Sequence, residues 1–452
     1  MIKYNLLEGD IKKHMVRLAL PNIGGMLAII LFNITDTFFV SKLGVKPLAA
    51  MGFTFPVVMV VGAFSSGISM GAGSILARAF GKQDTHLMKR IATDGILLAV
   101  LSVVFISSLG IITIPGLFKL LGAEADIIPL IKEYMIVWYG GVIFFIMPPV
   151  SDSCMRAIGD MRRPFYVMLV CAIGNFILDP IFIFNEFTIF GITIHGLNLG
   201  IKGAALATMI ARGFGGLLSL SFVNFKYNLI SFKYESPLEL INSWRNILSI
   251  GIPGALIRLL PQLVRATLTK LTAVVGGTYA VAAIAAGSRI ESFSQVISMA
   301  VGASLIPIMG QNFGAGNHDR VEESRKIILK ISIIYGIILT ILAIIFGKPL
   351  SLIFTKNQEV INYMNVYLII MMTGSVGLNL YNWLSEGLVA LGKAKLSLKI
   401  NLFGSLFILI PLLLLGSRIG EFKGMLVGLI LGQIILGITA EILVKKEINR
   451  TI

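Results

Sequence analysis

The sequence predicts an all-α polytopic membrane protein, with twelve transmembrane helices in two pseudo-symmetric six-helix lobes. Three observations carry that prediction. First, 56% of the 452 residues are hydrophobic and only 13% are charged, with a mean hydropathy of +0.88. Soluble domains run at roughly 45–50% apolar and roughly 25% charged, and a water-soluble core cannot absorb the excess. Second, the apolar residues fall in long runs, each near the ~20 residues a helix needs to cross the hydrocarbon. Third, the two halves of the chain repeat one another.

Taken in order, the runs give spans at about 15–40, 48–77, 92–114, 132–155, 164–185, 199–222, 244–270, 279–311, 327–346, 361–388, 396–416 and 424–444. The first follows a basic stretch but is far longer than a signal-peptide core and lacks a small-residue cleavage site, so it reads as a retained helix. Basic residues cluster in alternate loops. Lys12, Lys13 and Arg17 precede the first span, Arg78, Lys82, Lys89 and Arg90 follow the second, and Arg156, Arg162 and Arg163 follow the fourth. The intervening loops are poorer in Lys and Arg. By the positive-inside rule both termini face the cytoplasm of a cell-membrane protein. The net charge of +15 is then explained without nucleic acid. The 47 glycines suit close helix contact.

LALPNIGGML (18–27) resembles LSIGIPGALI (248–257), with Pro21 and Pro253 lying 232 apart. ARAFGKQD (77–84) answers MGQNFGAGN (309–317), and RAIGDMRRPF (156–165) answers VALGKAKLSL (389–398), both at a shift of 233. IKGAALA (201–207) answers FKGMLVG (422–428) at 221, the difference being a longer loop over 186–200 in the first half. The expected organisation is a lobe over 1–222, a cytoplasmic linker over 223–243, and a second lobe over 244–452. Six spans per repeat is an even number, so both lobes run in the same direction. Such duplication is typical of secondary transporters.

Against this repeat, certain charges stand out. Asp36 sits in NITDTFFV inside the first span, where a charge at the bilayer centre costs roughly 2.5–3.5 kcal/mol. Its counterpart at 233 is Thr269. Asn175 and Asp179, four apart and on one helical face, answer Ile408 and Leu412. The first lobe is therefore expected to hold two membrane acids where the second has none, with Asn33 as a supporting polar group on the Asp36 face. Two carboxylates brought close cannot both stay ionised cheaply. They share a proton, or they take a hard cation with the Asn175 carbonyl and a hydroxyl such as Thr208. Either route makes a site for H⁺ or Na⁺. Pro21, fifteen residues before Asp36, removes a helical hydrogen bond and provides a hinge in the first span. The plainer alternative is that the acids only tie helices together. Tyr134 and Thr208 have plain alternatives too, as an interfacial anchor and as a hydroxyl bonded to its own helix.

In the second lobe Arg258, Arg265, Arg289, Glu291 and Glu386 are expected to pair internally, an arginine of the seventh span with Glu291 or Glu386, with a part in substrate binding as the alternative. No catalytic constellation is present. There is no GxxxxGK[ST] loop, the four histidines lack metal-ligand spacing, and Cys154 and Cys171 lie in or beside apolar stretches. GAGSIL (71–76) and GFGG (213–216) fall within spans, where small residues serve helix contact.

MGQNFGAGNHDRVEESRK (309–326), FGKQD (80–84), RAIGDMRRP (156–164), GNFILDPIFIF (174–184) and GAALAT (203–208) resemble the multidrug and toxic compound extrusion (MATE) family, in order along essentially the whole chain. The resemblance implies a two-lobe antiporter, acting as a monomer in the bilayer without a cofactor. Its expected partners are small hydrophobic, often cationic drugs, exported against H⁺ or Na⁺. NITDTFFV looks like the DinF-type branch and NFILDPIFIF like MepA-type exporters. By position the resemblance carries cation coupling to Asp36, Asn175, Asp179, Tyr134 and Thr208, and the hinge to Pro21. The seventh span carries arginines where the NorM-type branch has an acid. A lipid-linked oligosaccharide flippase and a non-transporting scaffold are the competing readings.

Overall fold

The computed structural model describes residues 6–189, 192–233 and 236–450. In lipid every backbone N–H and C=O must be satisfied internally, and the apolar runs accordingly form helices. In the first half these are α1 (Ile11–Ser41), α2 (Val45–Gly81), α3 (Thr85–Leu120), α4 (Ile128–Ala157), α5 (Arg162–Ile183) and α6 (Gly200–Ser221). The second half holds α7 (Pro237–Gly314), α8 (His318–Phe354), α9 (Gln358–Ala390), α10 (Ala394–Gly404) and α11 (Ile410–Asn449), with a π-helical turn, Ser405–Leu409, joining the last two. Short polar caps start some of them. The Asp84 carboxylate accepts from the Leu87 N–H at 2.9 Å, and the Asn357 carbonyl accepts from the Glu359 and Val360 N–H groups.

Among the described residues ten helical stretches are long and apolar enough to cross a membrane, and two of the ten are double. The 78 residues of α7 would reach about 117 Å at 1.5 Å per residue, several times the ~30 Å hydrocarbon. The helix breaks at Gly277, whose φ of 60° suits glycine. The stretch Ala394–Asn449 breaks at Gly420 and Glu421. There the two arms meet face to face: a Cβ on Gly424 would overlap the Gly416 carbonyl, and one on Gly428 the Leu412 carbonyl. Ten stretches therefore supply the twelve expected spans. Gly424→Leu should lower the thermal unfolding midpoint in detergent by several degrees, because overpacking costs about 1–3 kcal/mol or more. Gly52→Ala, where a Cβ meets nothing within 4 Å, should hold it or raise it slightly, because Ala is the better helix former by about 1 kcal/mol.

The all-α expectation needs one amendment. The long loop of the first half contains a hairpin, β1 (Glu186–Ile189) paired antiparallel with β2 (Ile192–His195). Its β-branched residues suit a pleated pair, and the Thr188 and Thr193 hydroxyls meet at 3.2 Å. This hairpin is the insertion that shortens the repeat shift to 221.

The chain forms two compact units. The first contains Leu20–Leu76 and Asp84–Ile252; the second contains Ala77–Gln83, the residues from Pro253 onward, and the opening turns of α1 through Ala19. In the first unit α6 packs against α4 and α5, and α3 against α4. The GFGG glycines make this possible: Gly213 and Gly216 lie against Phe144 and Met147 of α4, and Gly215 against Cys171 of α5. The polar segment expected to link the lobes groups with the first unit. Ser231 N–H donates to the Thr93 hydroxyl at 2.9 Å, and Trp244 Nε1 donates to the Asp94 carbonyl at 3.0 Å, tying the segment to α3. In the second unit α9 packs against α8 and α11. Pro21 and Pro253 both fall at the points where their helices change unit.

Candidate functional site

The buried edge of α1 advances in four-residue steps through Ala28, Phe32, Asp36 and Val40. Ala28 and Phe32 pack on Cys171 and Ala172 of α5 and Ala211 of α6. One turn further, the same stripe delivers Asp36 into the first unit at 6% exposure. Asn175 and Asp179 of α5 are fully buried, and Thr208 of α6 and Tyr134 of α4 are 5% and 4% exposed. Four helices thus converge on one polar cluster inside an apolar bundle.

The hydrogen bonds tie it together. Asn175 Nδ2 donates to Asp179 Oδ1 at 3.0 Å and lies 3.4 Å from Thr208 Oγ1. The Thr208 hydroxyl in turn bonds Asp36, and the Tyr134 phenol lies within electrostatic reach of both carboxylates. Three oxygens have no protein partner: Asp36 Oδ1, Asn175 Oδ1 and Asp179 Oδ2. All three are acceptors, and an unsatisfied buried acceptor of this kind costs about 1–3 kcal/mol. The donor set is oxygen-only, which fits a proton or a hard monovalent cation and no soft metal. Among the described residues no group of three or more His, Cys, Asp and Glu forms a metal centre.

Asn33 does not join the cluster. It is exposed, off the four-residue stripe that buries Asp36, and its carbonyl accepts from the Thr37 hydroxyl at 2.8 Å. Pro21 lies on the half-buried side of α1, one residue beyond the change of unit.

Two charged groups of the first unit were not anticipated. Arg212, one turn after Thr208 on α6, has its guanidinium 4.7 Å from the Phe32 ring centroid and 4.5 Å from that of Phe145. Flanking rings stabilise a desolvated cation, and Arg212 interacts electrostatically with Asp36 and Tyr134. An arginine inside a span, four residues from a site hydroxyl, was the signal available. Beside the buried Asp94 of α3, Asp152 of α4 is a further buried acid within a span, so the count of two membrane acids in this lobe is corrected. It accepts from Ser219 Oγ at 2.7 Å. It is eighteen residues from Tyr134 along α4, about 27 Å, and stands apart from the cluster, joining α4 to α6.

In the second unit the expected ion pair forms between Arg258 Nη2 and Glu386 Oε1 at 2.8 Å. The buried Arg325 pairs with Glu322 and Glu441, and a neutral set is formed by Tyr381 donating to Asn401 at 2.5 Å and Asn401 donating to Ser385 at 2.8 Å.

The family model described as MatE matches residues 21–181 and 253–415, one copy in each half. A protein of Shewanella oneidensis named FAD transporter is 32% identical over 98% of this chain and 96% of its own. The multidrug export protein MepA of Staphylococcus haemolyticus is 24% identical over 98% of this chain and 95% of its own. Among solved structures, the Vibrio cholerae MATE transporter VcmN in the bent form superposes with a TM-score of 0.89, at 29% identity over 97% of both chains.

Proposed function

The chain belongs to the MATE family of membrane transporters, and from that premise we propose that it is a secondary antiporter whose coupling ion, H⁺ or Na⁺, binds at Asp36 and Asp179. Membership makes it a multi-pass membrane transporter and no enzyme, and removes the scaffold reading. The observation that supports the coupling site is the trio of partnerless buried oxygens on Asp36 of α1 and on Asn175 and Asp179 of α5, with an interior proline in α1.

The charges suggest a stoichiometry. Two carboxylates beside one guanidinium leave a single negative charge, which one monovalent cation cancels. Neutral, the cluster tolerates the apolar bundle; charged, it requires water, because burying an uncompensated charge costs several kcal/mol. Ion release therefore favours any arrangement that hydrates the site. Pro21 supplies the flexible point in α1 at which Asp36 moves relative to α5. Thr208 and Asn175 orient the carboxylates, and Tyr134 is the nearby phenolic oxygen. The termini lie on the cytoplasmic side, and a single chain is the working unit.

For the substrate, small organic compounds are the common ground of the relatives, and their names bring two classes: drugs, and a flavin dinucleotide. Efflux of a fluorescent substrate from proteoliposomes under separately imposed Na⁺ and H⁺ gradients tests the proposal. One gradient should drive efflux in the wild type, and Asp179→Asn should reduce the driven rate by more than about tenfold, consistent with loss of a buried charged partner. Equal efflux by the wild type and Asp179→Asn under both gradients would sink it.

A further inference from the structure

The first arm of α7, before Gly277, is exposed along two separate stripes. One is apolar: Ile252, Leu256, Leu263 and Val274. The other is polar: Arg258, Gln262, Arg265 and Thr269, at spacings of four, three and four residues. At 3.6 residues per turn the stripes lie about 130° apart. The apolar stripe suits acyl chains. The polar one does not, since each arginine left in hydrocarbon costs roughly 2.5–3.5 kcal/mol. Intramembrane ionisable groups face a bundle interior or a water-filled cavity, so this stripe borders water.

Arg258 and Arg265 lie well inside the seventh span. Arg265 is twelve residues before Gly277 and Arg289 twelve residues after it, so each guanidinium hangs about 18 Å from the break along its own arm. The neighbouring acids are occupied. Glu386 takes Arg258 at 2.8 Å, while Glu291 accepts from the Tyr367 hydroxyl at 2.5 Å and from Gln295 at 3.5 Å. Tyr367 stands at the repeat shift of 233 from Tyr134, so the position that serves the carboxylate cluster in one lobe here holds an acid already satisfied. Arg265 is within electrostatic reach of Tyr367 and, like Arg289, has no ion pair among the described residues. Three guanidinium groups thus accompany two committed carboxylates, and the surplus positive charge is displayed on the exposed side of the arms.

We infer that this face of the second unit, centred on Arg265 and Arg289, holds the acidic group of the transported compound, and that the substrates are organic anions bearing a phosphate or a carboxylate. Guanidinium is the side chain best matched to those groups, through paired N–H donors in a fixed plane. A purely cationic compound meets the same surface as a like charge. The inference rests on the transport reading above for its substrate and departs from the cationic class that the family resemblance implied.

The test uses the full-length chain in detergent and in proteoliposomes, with riboflavin 5′-phosphate, uncharged riboflavin, carboxyfluorescein and ethidium as probes. Fluorescence titration should show riboflavin 5′-phosphate binding at least tenfold tighter than riboflavin, a comparison that needs no variant. Arg265→Gln and Arg289→Gln should each weaken that binding about tenfold, with Arg265→Lys recovering part of the loss. Carboxyfluorescein binding with the same arginine dependence assigns the site to carboxylates as well; its absence restricts the site to phosphates. Equal binding of riboflavin and its phosphate, or phosphate binding unchanged in both glutamine variants, overturns the inference. Gradient-driven ethidium movement without any binding of the acidic probes overturns it and leaves ion-coupled transport standing. Phosphate-dependent binding without gradient-driven movement of any probe supports it and removes the coupling.

Discussion

Asp36→Asn should bring ion-driven transport down to background while the protein still inserts and elutes as a folded species in detergent. Asparagine keeps the shape of the side chain and its hydrogen bond from Thr208 but cannot carry the charge that an ion replaces. Removing one member of a buried charge set costs about 3–5 kcal/mol, or roughly two to four orders of magnitude in the coupled step. The measurement is efflux from proteoliposomes under the driving gradient found for the wild type. Asn33→Ala is the control: an exposed substitution is usually within about 0.5 kcal/mol, roughly a twofold change in rate. If Asp36→Asn retained driven efflux while Asn33→Ala lost it, the buried cluster would not be the coupling site.

Arg212→Gln should alter the ion count. With the guanidinium present, the cluster is one positive charge short of neutrality; without it, two short. Ion binding measured on the purified chain, by proton release on acid–base jump or by uptake of labelled Na⁺, should therefore rise from about one to about two per chain, because coupled sites titrate as a set. Transport should fall at least about tenfold, since the cation held between Phe32 and Phe145 also contributes of the order of 2 kcal/mol when desolvated. Arg212→Lys keeps the charge and loses the planar stack, so its ion count should stay at about one. An unchanged count in Arg212→Gln would show that Asp36 and Asp179 do not feel this residue. That result would leave the Asp36 prediction intact.

Much of the fold could be read from the order of residues, because membrane insertion is governed by one-dimensional quantities. Length and hydropathy set the spans, the Lys and Arg distribution set the expected orientation, and the repeat at 233 exposed two lobes. The exceptional acids were legible for the same reason, since a carboxylate in an apolar run stands out whatever surrounds it. Asn175 and Asp179 could even be paired, four residues being one helical turn.

The errors arose where neighbours come from other helices. Asn33 was placed beside Asp36 by its three-residue spacing, yet the buried edge of α1 advances by fours and leaves Asn33 outside. Arg212 went unnoticed because its two ring partners, Phe32 and Phe145, are remote in sequence. Asp152 lies inside the expected span 132–155, but its partner Ser219 belongs to another helix. Arg258, Arg265 and Arg289 were expected to pair internally, but of these three only Arg258 pairs with an acid, and the orientation of the α7 arms left Arg265 and Arg289 exposed.

A single chain of letters could therefore state that this is a duplicated membrane transporter with acids inside its first half, since burial in lipid penalises every polar group in proportion to its own chemistry. Which of those groups meet, and how many charges remain uncancelled where they do, followed from the rotation of each helix about its axis. Those angles come from the packing of side chains drawn from separate helices, and electrostatic energy depends on the distances they set.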